Sequence, residues 1–344
     1  MSNFAKGFAD WFTGRWLQPK EGEPVRAGGQ AVMEGVMMRG PKYTAIAVRE
    51  ASGKIVTQKK PNVSLTAKYP VLGWPIIRGV VNFVVMLVLG MKTLMDSAEM
   101  AGEEPEEPNA FEKKMAQLFH VKPDDVMMTC AVVLALALAI GLFFVLPTAV
   151  ESWLKSAIQS RVLVNLLGGI LRICVFLGYV LAVSRLKEIR RVFQYHGAEH
   201  KTVFCLEHEL PLTVENARKF TTLHPRCGTS FLVIVMVISI LIFTFLGTDS
   251  SNVFARVGSR LLLLPLVAGV SYDILQWLGR AKENAFVRAM KWPGLMVQKI
   301  TTAEPDDSML EVAIAAMKLA LDQPYEQEEN PQEAAEEKTG EEQP

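Results

Sequence analysis

Four long apolar runs constrain this chain more than any other feature of its sequence. The runs are Val126–Leu146, Val162–Val183, Leu232–Leu246 and Leu261–Leu278. A helix of about 20 apolar residues crosses the hydrocarbon core of a bilayer, and the runs approach or reach that length. Half of the 344 residues are hydrophobic, and the mean hydropathy is +0.22. The sequence therefore predicts a mainly α-helical membrane protein with about four transmembrane helices.

Lysine and arginine indicate which connections between these runs lie inside the cell. The 184–228 connection is rich in both residues, whereas 147–161 and 247–259 are poor in them. Because cytoplasmic loops carry an excess of Lys and Arg, 184–228 is expected in the cytoplasm. Both chain termini then fall on this cytoplasmic side. The net charge of zero conceals this segregation.

A fifth apolar stretch, residues 71–95, does not fit this arrangement as a full span. Polar or helix-breaking residues interrupt it at Pro75, Arg78, Asn82, Gly90 and Lys92. A fifth full crossing would also place the basic N-terminal region opposite the basic 184–228 segment. We therefore predict a re-entrant or interfacial segment, or a short span. The acidic residues 96–124 that follow are predicted to form a cytoplasmic loop.

The first 70 residues predict a cytoplasmic unit that contains an amphipathic helix and a little β structure. Residues 1–18 place aromatic side chains at helical spacing, which suits a helix in the membrane interface or one packed on its own protein. Three segments favour strands, with a turn at Ser52–Gly53: Val25–Val32, Thr44–Glu50 and Ile55–Gln58.

A glycine-rich stretch, Gly28–Pro41, lies between the first two of these strands and is interpreted as a loop. It lacks the Gly-Lys-Ser/Thr ending of a phosphate-binding loop. Either these glycines only shape turns, or they position the backbone so that Glu34 and Arg39 point at a functional site.

The remaining domains follow from composition. A membrane domain is expected over 125–282, and a cytoplasmic helical region over 283–322. Residues 323–344 are acidic with almost no apolar side chain, which predicts a disordered tail. Within the membrane domain, a charged side chain needs a partner or a polar cavity. Either Arg172 and Asp273 form an ion pair with each other, or Asp273 lies beside the cytoplasmic histidines, as a metal ligand or next to one.

Those histidines form the main chemical feature of the sequence. Four of the five histidines lie between His196 and His224, in the 184–228 connection. On a helix, His196, Glu199 and His200 share one face, since they are three and four residues apart. Two imidazoles one turn apart can bind Zn²⁺, and the spacing His-x-x-Glu-His is that of the inverzincin metalloproteases, with the glutamate as general base. Additional ligands are expected from His224, Cys227, Glu207, His208 or Asp273. Solvated histidines beside lipid headgroups are the alternative.

Three stretches of this sequence resemble the bacterial YqhQ family, which is described as a predicted metal-dependent membrane enzyme of unknown function. They are Gly28–Pro41, Tyr195–Cys205 with His224–Ser230, and Glu304–Asp307. The resemblance covers nearly the whole chain apart from the acidic tail. It implies a plasma-membrane protein and motif positions at His196, Glu199, His200, His224, Cys227, Glu34 and Arg39, and it names no substrate.

We therefore expect a membrane-embedded hydrolase that depends on a divalent metal, Zn²⁺ above others. His196, His200, His224, Cys227 and Asp273 are its candidate metal ligands. Glu199, Glu34 and Arg39 are its candidate catalytic residues. A non-catalytic scaffold or biogenesis factor with a structural His/Cys cluster is the second hypothesis, and a transporter is the third. The lipid bilayer and other membrane proteins are the expected partners, and no nucleic acid is expected.

Overall fold

The computed structural model describes residues 27–62, 69–102, 123–154, 156–246 and 252–325. The amphipathic helix predicted at 1–18, most of the 96–124 loop and nearly all of the acidic tail lie outside these residues. Within them, the chain is mainly helical and carries a small antiparallel sheet. Both features of the predicted fold class are confirmed.

Four strands form an antiparallel meander in chain order. They are β1 (Gly28–Val32), β2 (Gly35–Arg39), β3 (Tyr43–Arg49) and β4 (Ile55–Pro61). The predicted turn before β4 is present, with Gly53 at a φ of 88°.

The glycine-rich stretch is a hairpin: its first residues belong to the strand predicted at Val25–Val32, and the loop expected after them is a second strand. Residues 28–32 pair with residues 35–39 in register, with Val32 opposite Gly35. Glu34 turns the chain at a φ of 48°. Val36 and Met38 pack into one hydrophobic cluster, and Val32 and Met37 pack into another on the opposite face, so both faces of the hairpin are covered, which glycine-based reasoning overlooked.

Ten α-helices follow the sheet in the described residues. A π-helical turn at Gly141–Val145 joins α2 to α3. The helices are α1 (Ile77–Met100), α2 (Pro123–Ile140), α3 (Leu146–Leu154), α4 (Arg161–Val183), α5 (Lys187–Glu207), α6 (Val214–Arg218), α7 (Gly228–Leu246), α8 (Val253–Leu278), α9 (Ala285–Thr301) and α10 (Asp307–Ala320).

Five stretches of these helices are long and apolar enough to cross a membrane. Four of them overlap the predicted spans, although the first ends at Leu154 and not at Leu146, and their composition is compatible with a membrane protein. The fifth is α1, which is continuous where the sequence predicted an interrupted segment. Pro75 lies before the helix and leaves its hydrogen bonds intact.

Helix α1 contacts two different parts of the fold along its length. Near its start, Arg78 forms an ion pair with Asp273 of α8 at 2.8 Å, and a Cβ at Gly79 would lie 2.6 Å from the Gly269 Cα. Near its end, the Ser97 hydroxyl accepts a hydrogen bond from the Met33 amide at 3.2 Å. The first half of α1 therefore packs on an apolar helix and the second half on the sheet.

The sheet, α5, α6 and α10 share one hydrophobic core. Helix α10 lies between strands β2 and β3 on one side and α5 on the other. The Asp306 side chain caps it by accepting a hydrogen bond from the Met309 amide at 3.0 Å. The sequence predicted one apolar face for this helix. Its alanines are buried too, so α10 is enclosed on almost every side.

A buried cluster of charges lies among the apolar helices. Glu151 of α3, which is 1% exposed, forms ion pairs with Arg256 and Arg260 of α8 and lies 3.5 Å from Arg172 of α4. The Arg172 side chain also donates to the Phe143 carbonyl in the π-helical turn at 3.0 Å. The Arg172–Asp273 pair considered from the sequence is therefore absent, since each residue has a different partner.

Replacing Glu151 with glutamine should destabilise the protein by about 3–5 kcal/mol, because buried arginines would lose their anion. The measurement is the free energy of unfolding in detergent micelles. Glu188→Gln, at an exposed glutamate on α5, should change it by about 1 kcal/mol or less. Equal effects of the two substitutions would contradict a structural role of this cluster.

Candidate metal centre

Helix α5 carries His196 and His200 one turn apart, with ring centroids 4.4 Å from each other. Gly197 between them lets the segment after α9 approach closely. A Cβ at this position would lie 2.1 Å from the Ala303 carbonyl oxygen. The glycine that weakens the helical pattern in the sequence is thus needed for tertiary contact.

Backbone carbonyls fix the orientation of both imidazoles. The Nδ1 of His196 donates to the Thr301 carbonyl at 2.8 Å, and the Nδ1 of His200 donates to the Thr222 carbonyl. Since a carbonyl oxygen only accepts, each Nδ1 carries a proton, and in that neutral tautomer each Nε2 presents a lone pair. The Nε2 of His200 is buried and has no hydrogen-bond donor in the described residues.

The Cys227 sulfur lies beside these lone pairs, immediately before α7. It is 3.1 Å from the Nε2 of His196. The Thr229 amide and hydroxyl donate to the sulfur at 3.4 and 3.3 Å. One ligand atom from each of His196, His200 and Cys227 lies within 4.8 Å of the other two.

Glu199 faces the same point from the side of the sheet. Its Oε1 accepts a hydrogen bond from the Gly29 amide of β1 at 3.0 Å. Its Oε2 lies 3.5 Å from the Nε2 of His200 and 4.0 Å from that of His196. The carboxylate is 6% exposed, so the hairpin holds it in a fixed direction.

His224 is close to this group but has other partners. Its Nδ1 accepts from the Arg226 amide at 3.3 Å, and its Nε2 donates to Glu207 at 3.2 Å. Its backbone amide and carbonyl are both bonded to the Gln298 side chain, at 2.7 and 2.8 Å. Both ring nitrogens are engaged, so His224 is placed as a neighbour of the cluster.

Glu207 is held ionised by this neighbour. Burial alone would raise the pKa of Glu207, but hydrogen bonds from His224 and Arg226 and the positive charge of Arg226 lower it to about 2. The side chain of Glu207 therefore stays an anion at neutral pH.

Three other predicted site residues lie elsewhere. Asp273 pairs with Arg78 and does not join the cluster. Glu34 forms an ion pair with Arg191 on the outer face of α5, which fastens the hairpin to this helix. Arg39 lies at the end of β2, where its Nη1 is 3.9 Å from the Met86 sulfur.

A cleft of about 550 Å³ connects Arg39 with the cluster. Glu199, Cys227 and Arg39 are among the residues that line it, with apolar side chains from α1, α7 and α8. The cleft lies where the apolar helices meet the sheet.

The groups that orient Glu199, His196 and His200 could not be recognised in the sequence, because they are backbone atoms of Gly29, Thr301 and Thr222. The contact between Thr229 and the Cys227 sulfur could have been predicted, because the two residues are only two positions apart in the sequence. Cys205 is not part of the site. Burial raises the pKa of the Cys205 thiol, and its sulfur lies 3.2 Å from the Pro211 carbonyl.

Residues 74–323 match the family described as a protein of unknown function, DUF1385. The chain belongs to this family. It is also 31% identical over 317 residues to the uncharacterised protein YqhQ of Bacillus subtilis (strain 168). The aligned region covers 90% of this chain and 96% of that protein. No solved structure matches the chain. The resemblance seen in the motifs is thereby confirmed, and these comparisons name no reaction.

Protonation of Glu207 should weaken the site as the pH falls. Because the folded pKa lies below the unfolded value of about 4.3, Glu207 contributes stability above that pH and loses it as the pH falls towards 2. The thermal midpoint of the wild type should therefore exceed that of Glu207→Gln near neutral pH, and the difference should shrink towards pH 2. A difference that is independent of pH would contradict this assignment.

Proposed function

We propose that this protein is a hydrolase that depends on a divalent metal, Zn²⁺ above others, and works at the cytoplasmic surface of the bacterial plasma membrane. The observation that carries the proposal is the buried Nε2 of His200, which has a lone pair and no donor in the described residues. An unsatisfied buried nitrogen is costly, and a bound metal would satisfy it.

The donors fit zinc better than they fit calcium or magnesium. Two imidazole nitrogens and a thiol are ligands that zinc accepts, whereas calcium and magnesium prefer oxygen. Each ligating histidine donates its other nitrogen to a backbone carbonyl, which is the usual outer contact of a metal-bound imidazole. Three protein ligands leave a fourth position open, as in catalytic zinc sites.

Glu199 is the general base in this proposal. The Gly29 amide holds one carboxylate oxygen, and the other faces the histidines and is free to accept a proton from an attacking water. When bound, the ion would polarise the scissile carbonyl or phosphoryl group and lower the pKa of water at the site to about 7. The hairpin thus keeps the base aligned while the substrate occupies the cleft.

The charge distribution supports a cytoplasmic site. Helix α5 and the segment after it contain most of the lysines and arginines of the 184–228 connection. Positively charged connections favour the cytoplasmic side of the membrane. The cleft would then open at the inner leaflet.

Metal content of the purified protein tests this proposal directly. The wild type should bind about one zinc ion per chain, and His196→Ala combined with His200→Ala should abolish this binding. His208→Ala is the matched control, because His208 is exposed immediately after the same helix and should leave the metal in place. Equal metal content in all three proteins would overturn the proposal.

Glu199→Gln separates catalysis from a structural metal site. Loss of a general base should lower activity by about 10²–10⁴-fold while the metal remains bound. A chain that retains both metal and cellular function with this substitution would instead be a scaffold with a structural site. The readout is complementation of a deletion strain, together with metal analysis.

A cysteine nucleophile is the second candidate, favoured by the 3.1 Å distance between the Cys227 sulfur and the Nε2 of His196. His196 would accept the thiol proton as a bond forms between sulfur and an acyl carbon. It would then give that proton to the leaving group, and water would release the acyl group. The Thr301 carbonyl would orient the imidazole.

Alkylation distinguishes the two candidates. A catalytic thiol should react with iodoacetamide in the metal-containing protein at neutral pH, and activity should decrease in parallel. A metal ligand should be protected until a chelator is added. Rapid alkylation without a chelator would favour the nucleophile, and protection that a chelator relieves would favour the metal.

A further inference from the structure

The cleft beside the metal centre has two kinds of wall. One wall is polar and charged, and it includes Arg39, Glu199 and the glycines of β1. The other is apolar and belongs to three helices long enough to cross a membrane. It includes Phe83 and Met86 of α1, Phe231 of α7 and Leu275 of α8. A ligand that fills the cleft must therefore satisfy both a charged and an apolar surface.

The apolar wall is open to the outside of the molecule at α1. Phe83 is 43% and Met86 52% exposed, and the rings of Phe83 and Phe231 lie 6.0 Å apart. Buried positions of α1 include Arg78, Thr93 and Ser97, whereas many of its large apolar side chains are exposed. This arrangement is the reverse of a water-facing helix and is typical of a helix that faces lipid.

The contacts of α1 indicate how deep this opening lies. Its first turn touches α8 at Gly269 and Asp273, and α8 ends at Leu278. At a rise of 1.5 Å per residue, Gly269 lies roughly 13 Å from that end. Helix α1 therefore starts about halfway through a hydrocarbon layer of roughly 30 Å and runs from there towards the sheet. Phe83 and Met86 come next along α1, on the way to the sheet.

The charged wall favours an anion. Among the charged residues that line the cleft, three are arginines and two are glutamates. Glu207 is bound to His224 and Arg226, and Glu199 to the Gly29 amide. Arg39 contacts the Met86 sulfur and has no carboxylate within 4.0 Å in the described residues. Its guanidinium is thus available to bind a phosphate.

We propose that the substrate of this site is an anionic phospholipid-like amphiphile, whose phosphate binds Arg39 while its chain leaves the cleft along the exposed face of α1, past Phe83 and Met86. This inference rests on the proposed hydrolase function and adds the class of substrate. The volume of the cleft holds a headgroup and the first part of a chain, and the remainder of the chain stays in the inner leaflet. Hydrolysis would then act next to the phosphate, beside Glu199.

Photo-crosslinking measures this binding without requiring metal or turnover. The probe is phosphatidylglycerol with a diazirine in one acyl chain, added to the protein in dodecyl maltoside micelles with a chelator in the buffer. Labelled peptides should include Phe83, Met86 or Phe231. Unlabelled phosphatidylglycerol should displace the probe, and unlabelled phosphatidylcholine should not.

Arg39→Gln should lower labelling of these peptides by about tenfold, the loss expected for a charge-assisted contact. Arg39→Lys should restore part of it. The matched control is Arg190→Gln, because Arg190 is an exposed arginine on α5 outside the cleft. Met86→Trp should also lower labelling, since it narrows the opening at an exposed position without changing the charge.

Several results would overturn the inference. They are equal labelling in Arg39→Gln and wild type, equal competition by phosphatidylcholine, and displacement by inorganic phosphate or a phosphoserine peptide at the same concentration. The last result would assign the cleft to a soluble phosphate or a protein. Because the assay contains a chelator, the two proposals fail separately. Arg39-dependent labelling without zinc in the purified protein would overturn the hydrolase alone, and zinc without such labelling would overturn the lipid substrate alone.

Discussion

Two hydrogen bonds from histidine to backbone carbonyls determine what the site of this protein can bind. With Nδ1 of His196 held by Thr301 and Nδ1 of His200 by Thr222, both Nε2 atoms face Cys227 and Glu199. The carbonyls belong to other segments of the chain, at the last residue of α9 and in the connection before α7. Any change that moves these segments would rotate the rings, so the site depends on how α5, α7 and α9 pack together.

The hairpin of β1 and β2 connects the site to the rest of the fold. One end of it presents the Gly29 amide to Glu199, and its turn is tied to α5 through Glu34 and Arg191. The same hairpin places Arg39 at the cleft. A single element thus aligns the proposed base and supplies the proposed phosphate contact. This arrangement gives the glycine-rich stretch a role that neither a loop nor a simple structural turn would provide.

The sequence predicted the histidine pair correctly because helical spacing alone brings His196 and His200 to one face of α5. The sequence also proposed Cys227, His224 and Asp273 as candidate ligands, and of these Cys227 lies beside the pair. His224 and Asp273 have suitable chemistry, but His224 is bonded to Glu207 and Asp273 to Arg78. Such competition depends on partners distant in the chain. Likewise, the Glu34 carboxylate pairs with Arg191 outside the cluster.

By itself, the sequence determined the apolar helices, the existence of a small sheet and the family, because hydrophobic periodicity and short motifs are local properties. Tertiary structure decided the path of α1, the pairing of the charged residues inside the helical region and which side chains meet at the candidate metal centre. The physical reason is that a buried charge or lone pair is stable only with a partner, and chain packing selects that partner. The spacing of His196 and His200 is encoded locally, whereas the position of Cys227 beside them exists only in the folded protein.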